Sequence, residues 1–354
     1  MGVRALRGDH PPVEGRYVLI IGRAVVRDIL DGDDARAVDL VRNAYLLHEQ
    51  GRTSLPHSVF LRFPQRHRDR IIGLPAYLGA DPPVSGIKWI SSFPGNLASG
   101  LERASAAILL NSMRTGHPVA LIEGSVISAR RTAASAALAA GLLTAHCRPD
   151  GLALIGCGLI NQQVLRFVAA TVAPPPALTL FDTDRRRAGA FAETARTLLP
   201  GTPTTLAGTA EEALAAHRLT SIATTATEPH IDLAACQPGA VVLHLSLRDL
   251  LPEGLLAARN VVDDADHACR EGTSLQLAEQ LTGGRDFIHA TIGALAGGQT
   301  RLPVDDVPVV VSPFGLGVLD LALAEHVRAT AERRGLGVRV DDFLPVVDAA
   351  VASA

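Results

Sequence analysis

The sequence predicts an α/β protein: a Rossmann-type doubly wound parallel sheet with a second α/β unit beside it. Three observations carry that reading. The stretch from Gly151 to Asp184 runs strand, glycine turn, helix, strand and terminal acid, the layout of a dinucleotide-binding unit. From Gly151 onward, apolar runs of strand length alternate with apolar residues at helical spacing, as in a parallel sheet covered on both faces. A chain of 354 residues, 47% of them hydrophobic, exceeds one comfortable core, so a second domain is expected.

Residues 1–16 are polar, carry Pro11-Pro12 and read as a loosely tied tail. Tyr17–Ile21 is the first strand, and Val25–Gln50 reads as helical, with Asp31, Asp33 and Asp34 near a helix start. Val59–Phe63 alternates like a half-buried strand, and Arg66–Arg70 reads as a charged turn. Ile71–Leu78 and Val84–Ser91 are two more strands, the second carrying Lys88. A helix is expected just after Gly100, with Ala104–Leu110 as its apolar part. Strand Pro118–Glu123 and the Ala-rich helix Ile127–Leu143 complete the first half.

Beyond Gly151 come strand Leu152–Ile155, helix Leu159–Val172, strand Ala177–Phe181 and helix Arg185–Leu198. Strand Thr204–Ala207, helix Ala210–His217 and strands Ser221–Thr225 and Ala240–Leu245 follow. Val261–Asp264 reads as one more strand, and Val307–Ser312 is expected to close the sheet. A last helix, Val318–Arg334, with the tail Val338–Val351, is expected to return to the first unit.

The glycine turn carries the first chemistry. Gly156 lets the chain turn tightly, and Gly158 lets the N–H groups that open the next helix, at Leu159 and Ile160, approach a pyrophosphate. Asp182 ends the second strand, where a carboxylate accepts hydrogen bonds from ribose hydroxyls and favours NAD over NADP. The third glycine position holds Asn161, and Arg185, Arg186 and Arg187 follow Asp182. Those arginines leave the NADP reading open, as they do that of a solvated helix start. Thr225-Ala226-Thr227, past the carboxyl end of a strand, and Gly315, in a loop after the last one, are the other candidate cofactor contacts.

Composition excludes several classes. A net charge of −3, with no aromatic-basic interleaving, argues against a nucleic-acid partner. Cys147, Cys157, Cys236 and Cys269 are scattered without a C-x-x-C, against a disulfide framework or structural zinc, so no metal is expected. No apolar run reaches membrane-spanning length and no signal pattern opens the chain, so a cytoplasmic protein off the membrane is expected. The 33 basic residues comprise 32 arginines and one lysine, Lys88. In a chain that uses arginine wherever either residue serves, a lone lysine marks a place for an ammonium that can release its proton, or a chance survivor.

Lys88, and the pair Arg130 and Arg131 near a helix start, suit an anionic substrate such as an amino acid carboxylate. His244 leaves a sheet strand towards the ligand crevice, with a hydrogen-bonded structural histidine as the competing reading. His146, His217 and His267 read as surface or structural.

Gly86-Ile87-Lys88-Trp89, Phe93-Pro94-Gly95-Asn96, Thr115-Gly116-His117-Pro118 and Ser128-Ala129-Arg130-Arg131-Thr132-Ala133-Ala134 resemble successive motifs of the ornithine cyclodeaminase/mu-crystallin family. The similarity continues through Gly156-Cys157-Gly158, Thr224-Thr225-Ala226-Thr227 and Ser312-Pro313-Phe314-Gly315-Leu316-Gly317, nearly the whole chain in order. The resemblance implies a substrate-binding and dimerisation domain from residues 1–128 and 319–354, an NAD-binding Rossmann domain over 129–318, and a homodimer. Lys88 and Arg131 match the family's ligands for the substrate carboxylate.

Two departures matter. Where the family often has P-x-R-T, this chain has Leu55-Pro56-His57-Ser58, leaving His57 or Arg62 as substitutes. Where cyclodeaminases carry a catalytic aspartate in G-D-x-P-G-K, it has Leu245-Ser246-Leu247-Arg248-Asp249-Leu250. Asp249 is then a displaced equivalent or no equivalent at all. The motif series is most similar to a branch of N-[(2S)-2-amino-2-carboxyethyl]-L-glutamate dehydrogenases, which supply L-2,3-diaminopropionate to siderophore and nonribosomal peptide antibiotic pathways. That implies NAD as cofactor and a small polycarboxylate amino acid as substrate, held by Lys88, Arg131 and Arg62 or Arg248, with His244, Asp249 or Lys88 as acid or base. A cyclodeaminase, a non-catalytic, mu-crystallin-like binder of NAD(P) and a plain alanine- or opine-type dehydrogenase are the alternatives.

Overall fold

The computed structural model describes residues 17–344, so the tail expected over 1–16 and residues 345–354 lie outside the described residues. The first unit runs β1 (Val18–Ile21), α1 (Arg23–Leu30), α2 (Asp34–Glu49), β2 (Thr53–Ser54), β3 (Val59–Phe63) and β4 (Arg66–Leu78). It continues with β5 (Val84–Ser92), β6 (Ala104–Asn111), β7 (Pro118–Glu123) and α3 (Ser125–Leu143). The second begins β8 (Leu152–Ile155), α4 (Leu159–Thr171), β9 (Leu178–Phe181), α5 (Arg185–Leu198), β10 (Thr204–Leu206), α6 (Ala210–Ala216), β11 (Leu219–Ile222) and β12 (Val241–His244). Then come α7 (Pro252–Leu256), β13 (Arg259–Val262), α8 (Ala265–Ala268), α9 (Ser274–Thr282), β14 (Ile288–Thr291), α10 (Ile292–Ala296) and β15 (Val309–Ser312). The chain returns through α11 (Gly317–Arg334) and β16 (Val338–Val340).

Each unit holds an eight-stranded sheet. The first has the order β16-β1-β7-β6-β5-β4-β2, with β3 also paired to β4. Opposed residues in its register share a face. Leu74, Lys88 and Ile108 therefore form one row, and all three are buried. That inner face is covered by α11, which packs on β4 and β5 and buries Val318, Leu319, Leu321, Leu323 and Val327. The outer face leaves Ile20, Val59, Leu61, Trp89 and Leu121 exposed. Gly73 sits opposite Trp89, where a Cβ would come within 3.3 Å of the indole.

The second sheet is parallel throughout, in the order β10-β9-β8-β11-β12-β15-β13-β14. Its connectivity reverses between β8 and β11, and the carboxyl ends of the strands beside such a switch point form the ligand crevice of this fold class. The expected Rossmann-type sheet with a second α/β unit is the fold observed.

Four expectations need correction. Ala104–Leu110 is not helical but makes most of β6, held on both sides by β5 and β7 with Ile108 and Leu110 turned inward. An apolar run that short fits either period, and pairing partners decided it. Arg66–Arg70 is no turn: it is the start of β4, paired to β3, exposed over Arg66–Arg68 and half-buried at Asp69 and Arg70, and the turn falls at Pro64-Gln65. Val307–Ser312 does not close the sheet, because β15 lies between β12 and β13. Its buried Val309-Val310-Val311 has the two-sided burial of a central parallel strand. β14, absent from the sequence reading, takes that edge. The long first helix splits in two around Gly32, which has φ +82°.

Candidate active site

The loop from β8 to α4 contains two glycines with different tasks. At Gly156, φ is +89° and a Cβ would stand 2.4 Å from the Ala223 carbonyl oxygen, so β11's exit loop can approach only a bare backbone. Gly158 has φ −103° and ψ −177°, and a Cβ there would meet nothing within 4 Å. It therefore opens onto free space at the N-terminus of α4, beside the first N–H groups of that helix, at Leu159 and Ile160, which have no partner within the helix.

Asn161, in the third glycine position, is fully buried. Its Nδ2 donates to the carbonyls of Ile155 at 2.9 Å and Gly156 at 2.7 Å, and its Oδ1 accepts from Ser221 Oγ at 2.7 Å. The amide thus ties the loop to β8 and β11 by hydrogen bonds where the usual glycine gives close packing. Asp182 lies beside the loop and accepts from the Cys157 N–H at 2.8 Å and the Asp184 N–H at 2.9 Å. Arg187 reaches it at 3.5 Å, while Arg185 and Arg186 are exposed. Thr225 and Thr227 stand exposed past β11, with Ala226 half-buried between them. An open helix N-terminus with a carboxylate at the next strand end fits a dinucleotide.

Across the crevice, Lys88 projects from the inner face of β5 and is 1% exposed. Its Nζ donates to Asp320 Oδ2 at 2.6 Å and to Ser128 Oγ at 3.3 Å. Arg131, one turn past Ser128 on α3, donates from Nε to Asp320 Oδ1 at 3.2 Å. Burial pushes the lysine down to about 8, Asp320 pulling the other way and Arg131 adding to the fall. The guanidinium continues to Gly315, where a Cβ would lie 2.4 Å from Nη1, so glycine is again required (φ +96°). The Phe314 and Gly315 N–H groups both donate to the buried Asp263, which fixes that loop against the crevice. Arg130, the neighbour of Arg131, points elsewhere: it is buried against the Leu30 carbonyl and Asp31.

His244 and Asp249 form a closed pair. The imidazole contacts Ser312 Oγ through Nδ1 at 3.3 Å and Asp249 Oδ2 through Nε2 at 3.2 Å, and both side chains are wholly buried. Asp249 also accepts from the hydroxyls of Thr224 and Ser246. Burial alone would raise this carboxyl, but the donors from His244, Ser246 and Thr224 outweigh it and hold it below the ordinary range.

His57 is exposed, its ring edge-on to His267 at 5.5 Å, and His267 in turn lies 6.2 Å from Phe314. Arg62 pairs with Glu271 at 2.7 Å, and Arg248 donates to the Glu271 carbonyl at 2.6 Å. These two arginines meet at one residue although one belongs to each unit.

The ornithine cyclodeaminase/mu-crystallin family model matches residues 31–335. The chain belongs to that family. It is 27% identical over 333 residues to the N-((2S)-2-amino-2-carboxyethyl)-L-glutamate dehydrogenase of Staphylococcus aureus strain NCTC 8325, covering 92% of this chain and 99% of the relative. The structure of Thermococcus litoralis Δ1-pyrroline-2-carboxylate reductase with NADH and L-proline superposes with TM-score 0.83 at 25% identity, over 91% of this chain and all of that one. An archaeal alanine dehydrogenase dimer with bound NAD gives TM-score 0.83 and 25% identity, over 92% of this chain and 100% of its own. Within the ornithine cyclodeaminase/mu-crystallin family, this chain is an NAD-dependent oxidoreductase.

The family fold brings Lys88, Arg131 and Gly315 to one point, with Gly156, Gly158 and Asp182 along the carboxyl ends of the neighbouring strands. Sequence reasoning passed over Asp320, the carboxylate both cations share. Its signal was a lone acid in the otherwise apolar first two turns of α11, Gly317 to Ala324. His267, read as surface or structural, is buried beside Phe314, clasped to Asp264 with His48 on the other oxygen.

Proposed function

We propose that the protein oxidatively cleaves N-[(2S)-2-amino-2-carboxyethyl]-L-glutamate to L-2,3-diaminopropionate and 2-oxoglutarate, for siderophore or nonribosomal peptide antibiotic assembly. The observation that carries this reading is the surplus of cations at the crevice: buried Lys88 and half-buried Arg131 share one carboxylate, Asp320. Bound NAD+ supplies the hydride acceptor for the glutamate Cα–H, and water hydrolyses the resulting ketimine.

The chain's own residues hold and orient. Lys88, as an ammonium, and the free edge of the Arg131 guanidinium grip a substrate carboxylate in charge-assisted contacts. A lysine held near 8 is poised to donate a proton to the departing amine nitrogen as the carbon–nitrogen bond breaks. Arg62 and Arg248 stand ready for another of the three carboxylates. His244 and Asp249 spend their hydrogen-bonding capacity on each other, Ser312, Thr224 and Ser246, which favours a framework role for them. A sealed Asp249 also disfavours the cyclodeaminase reading, which needs an accessible aspartate after β12.

The same reading divides the chain into residues 1–128 plus 319–354 for substrate and 129–318 for NAD. A second copy covers the exposed outer face around Trp89 and Leu121, and the alanine dehydrogenase neighbour is itself a dimer. No described helix is long and apolar enough to cross a membrane, and all four cysteines are free thiols, as a reducing cytoplasm keeps them. The test offers the purified protein NAD+ with the amine-linked glutamate, then with ornithine. The expected result is one NADH for each 2-oxoglutarate and 2,3-diaminopropionate formed. Ornithine conversion without net NADH would mark a cyclodeaminase instead, and tight NAD binding without turnover of any amine a binding protein.

A further inference from the structure

The row of the first sheet just beyond Lys88 is unusually cationic. On β5, Ser92 lies four residues from Lys88 and so on the same face, about 13 Å along the strand. The register places Arg70 opposite Ser92 and Arg62 opposite Arg70, so both arginines share that inner face. Arg103 enters the row from the start of β6, donating to Ser92 Oγ at 2.9 Å. Arg248 comes from the other unit, through the loop after β12.

Charge compensation here is thin. Arg62 pairs with the Glu271 carboxylate, and Arg248 donates to that residue's carbonyl, with Glu271 and Asp249 as its nearby carboxylates. Nε of Arg70 is buried with no hydrogen-bond partner among the described residues. Arg70, Arg103 and Arg248 are all half-buried, and burial holds each below the ordinary guanidinium range. For Arg70, the neighbouring Arg248, Arg103 and Arg62 lower it further, and Glu271 offsets only part of that. Partly desolvated like charges repel unless an anion sits among them.

The geometry points to a second anion subsite, formed by Arg70 and Arg103 with Arg62 and Arg248, that receives the ligand carboxylate distal to the one held by Lys88 and Arg131. It rests on the proposed reading for the first carboxylate site, at Lys88 and Arg131, and for the name of the substrate; the chemistry it requires is a small molecule with carboxylates at both ends. In the amine-linked glutamate the outer carboxylate of the diaminopropionate arm lies five bonds from one glutamate carboxyl carbon and seven from the other, about 6 and 9 Å when extended. Flexible lysine and arginine side chains bridge the remainder of the 13 Å row. A monoacid such as alanine leaves this subsite unmatched. It stands on the β12 side of the crevice, whereas Asp182 and Arg185–Arg187 lie beyond β8 on the other side, so it does not read the adenosine end of the cofactor.

The test needs no turnover. The NADH-loaded protein is titrated with adipate and suberate, whose terminal carboxyl carbons are five and seven bonds apart, and with hexanoate and octanoate of the same lengths. At least one diacid should bind about tenfold or more tighter than its monoacid. In Arg70→Met and Arg103→Met that preference should vanish with monoacid and NADH affinities unchanged, and Arg70→Lys should restore part of it. An undiminished diacid preference in both variants, with NADH affinity and thermal midpoint intact, overturns the subsite, as does its absence from the parent protein. If the amine-linked glutamate is not turned over yet the preference exists and depends on Arg70, the subsite stands and only the named substrate falls. If it is turned over with the same KM in Arg70→Met and Arg103→Met, the subsite falls and the reaction stands.

Discussion

Asp320 and Asp249 are both wholly buried, and they are held in opposite ways. Asp249 accepts from His244, Thr224 and Ser246, and the histidine beside it is itself occupied at both ring nitrogens. Asp320 instead receives one bond each from Lys88 and Arg131, side chains that carry three and five donors. In one cluster every group is answered within the protein; in the other, donors outnumber acceptors. A saturated buried network makes framework, and an unsaturated one beside a crevice makes a binding site.

The largest expected effect breaks the unsaturated side. Lys88→Ala should lower kcat/KM about 100-fold, the worth of a charge-assisted contact in a buried site, with NAD affinity retained. Unchanged turnover would remove Lys88 from the reaction. On the saturated side, Asp249→Asn should act on stability, costing about 1–3 kcal/mol through its stranded donors and lowering the thermal midpoint by several degrees. A variant as stable as the parent but without turnover would return Asp249 to catalysis.

The glycine loop offers the same contrast on a smaller scale. Gly156→Ala meets a backbone carbonyl and should lower the thermal midpoint. Gly158→Ala meets free space and should leave the midpoint alone while weakening NAD binding about tenfold. A thermal loss at Gly158 would assign both glycines to folding.

The smallest effect at neutral pH is a titration. With Lys88 near 8, its ammonium is intact below that value and lost above it, so 2-oxoglutarate affinity should decline as pH rises beyond about 8. Between there and the ordinary lysine range the unfolded chain binds more protons than the folded one, so this group favours folding as pH rises. Lost affinity would therefore not be unfolding caused by Lys88. A flat profile to pH 10 would mean that Lys88 does not hold the ligand as an ammonium.

The sequence made these contrasts only half legible. The Rossmann unit could be read because strands and helices alternate with glycine and acid at fixed places, and Lys88 because it is the lone lysine. Local pattern could not show that Asp320, 232 residues further along the chain, folds back beneath it, since nothing in the local spacing of α11 says which sheet its apolar first half covers. Nor could it separate β6 from a helix, because its alanines and leucines suit either period until β5 and β7 supply partners. Arg70 sits in the run Arg66-His67-Arg68-Asp69-Arg70, which reads as solvated. Only the pairing with Ser92 turns it to the inner face.

The most direct measurement is a crystal structure of the complex with NADH and 2-oxoglutarate. A ligand carboxylate should lie about 2.7–2.9 Å from both Lys88 Nζ and the Arg131 guanidinium, with Asp320 still bridging them. A ligand seated elsewhere, with either cation turned away from it, would contradict the account.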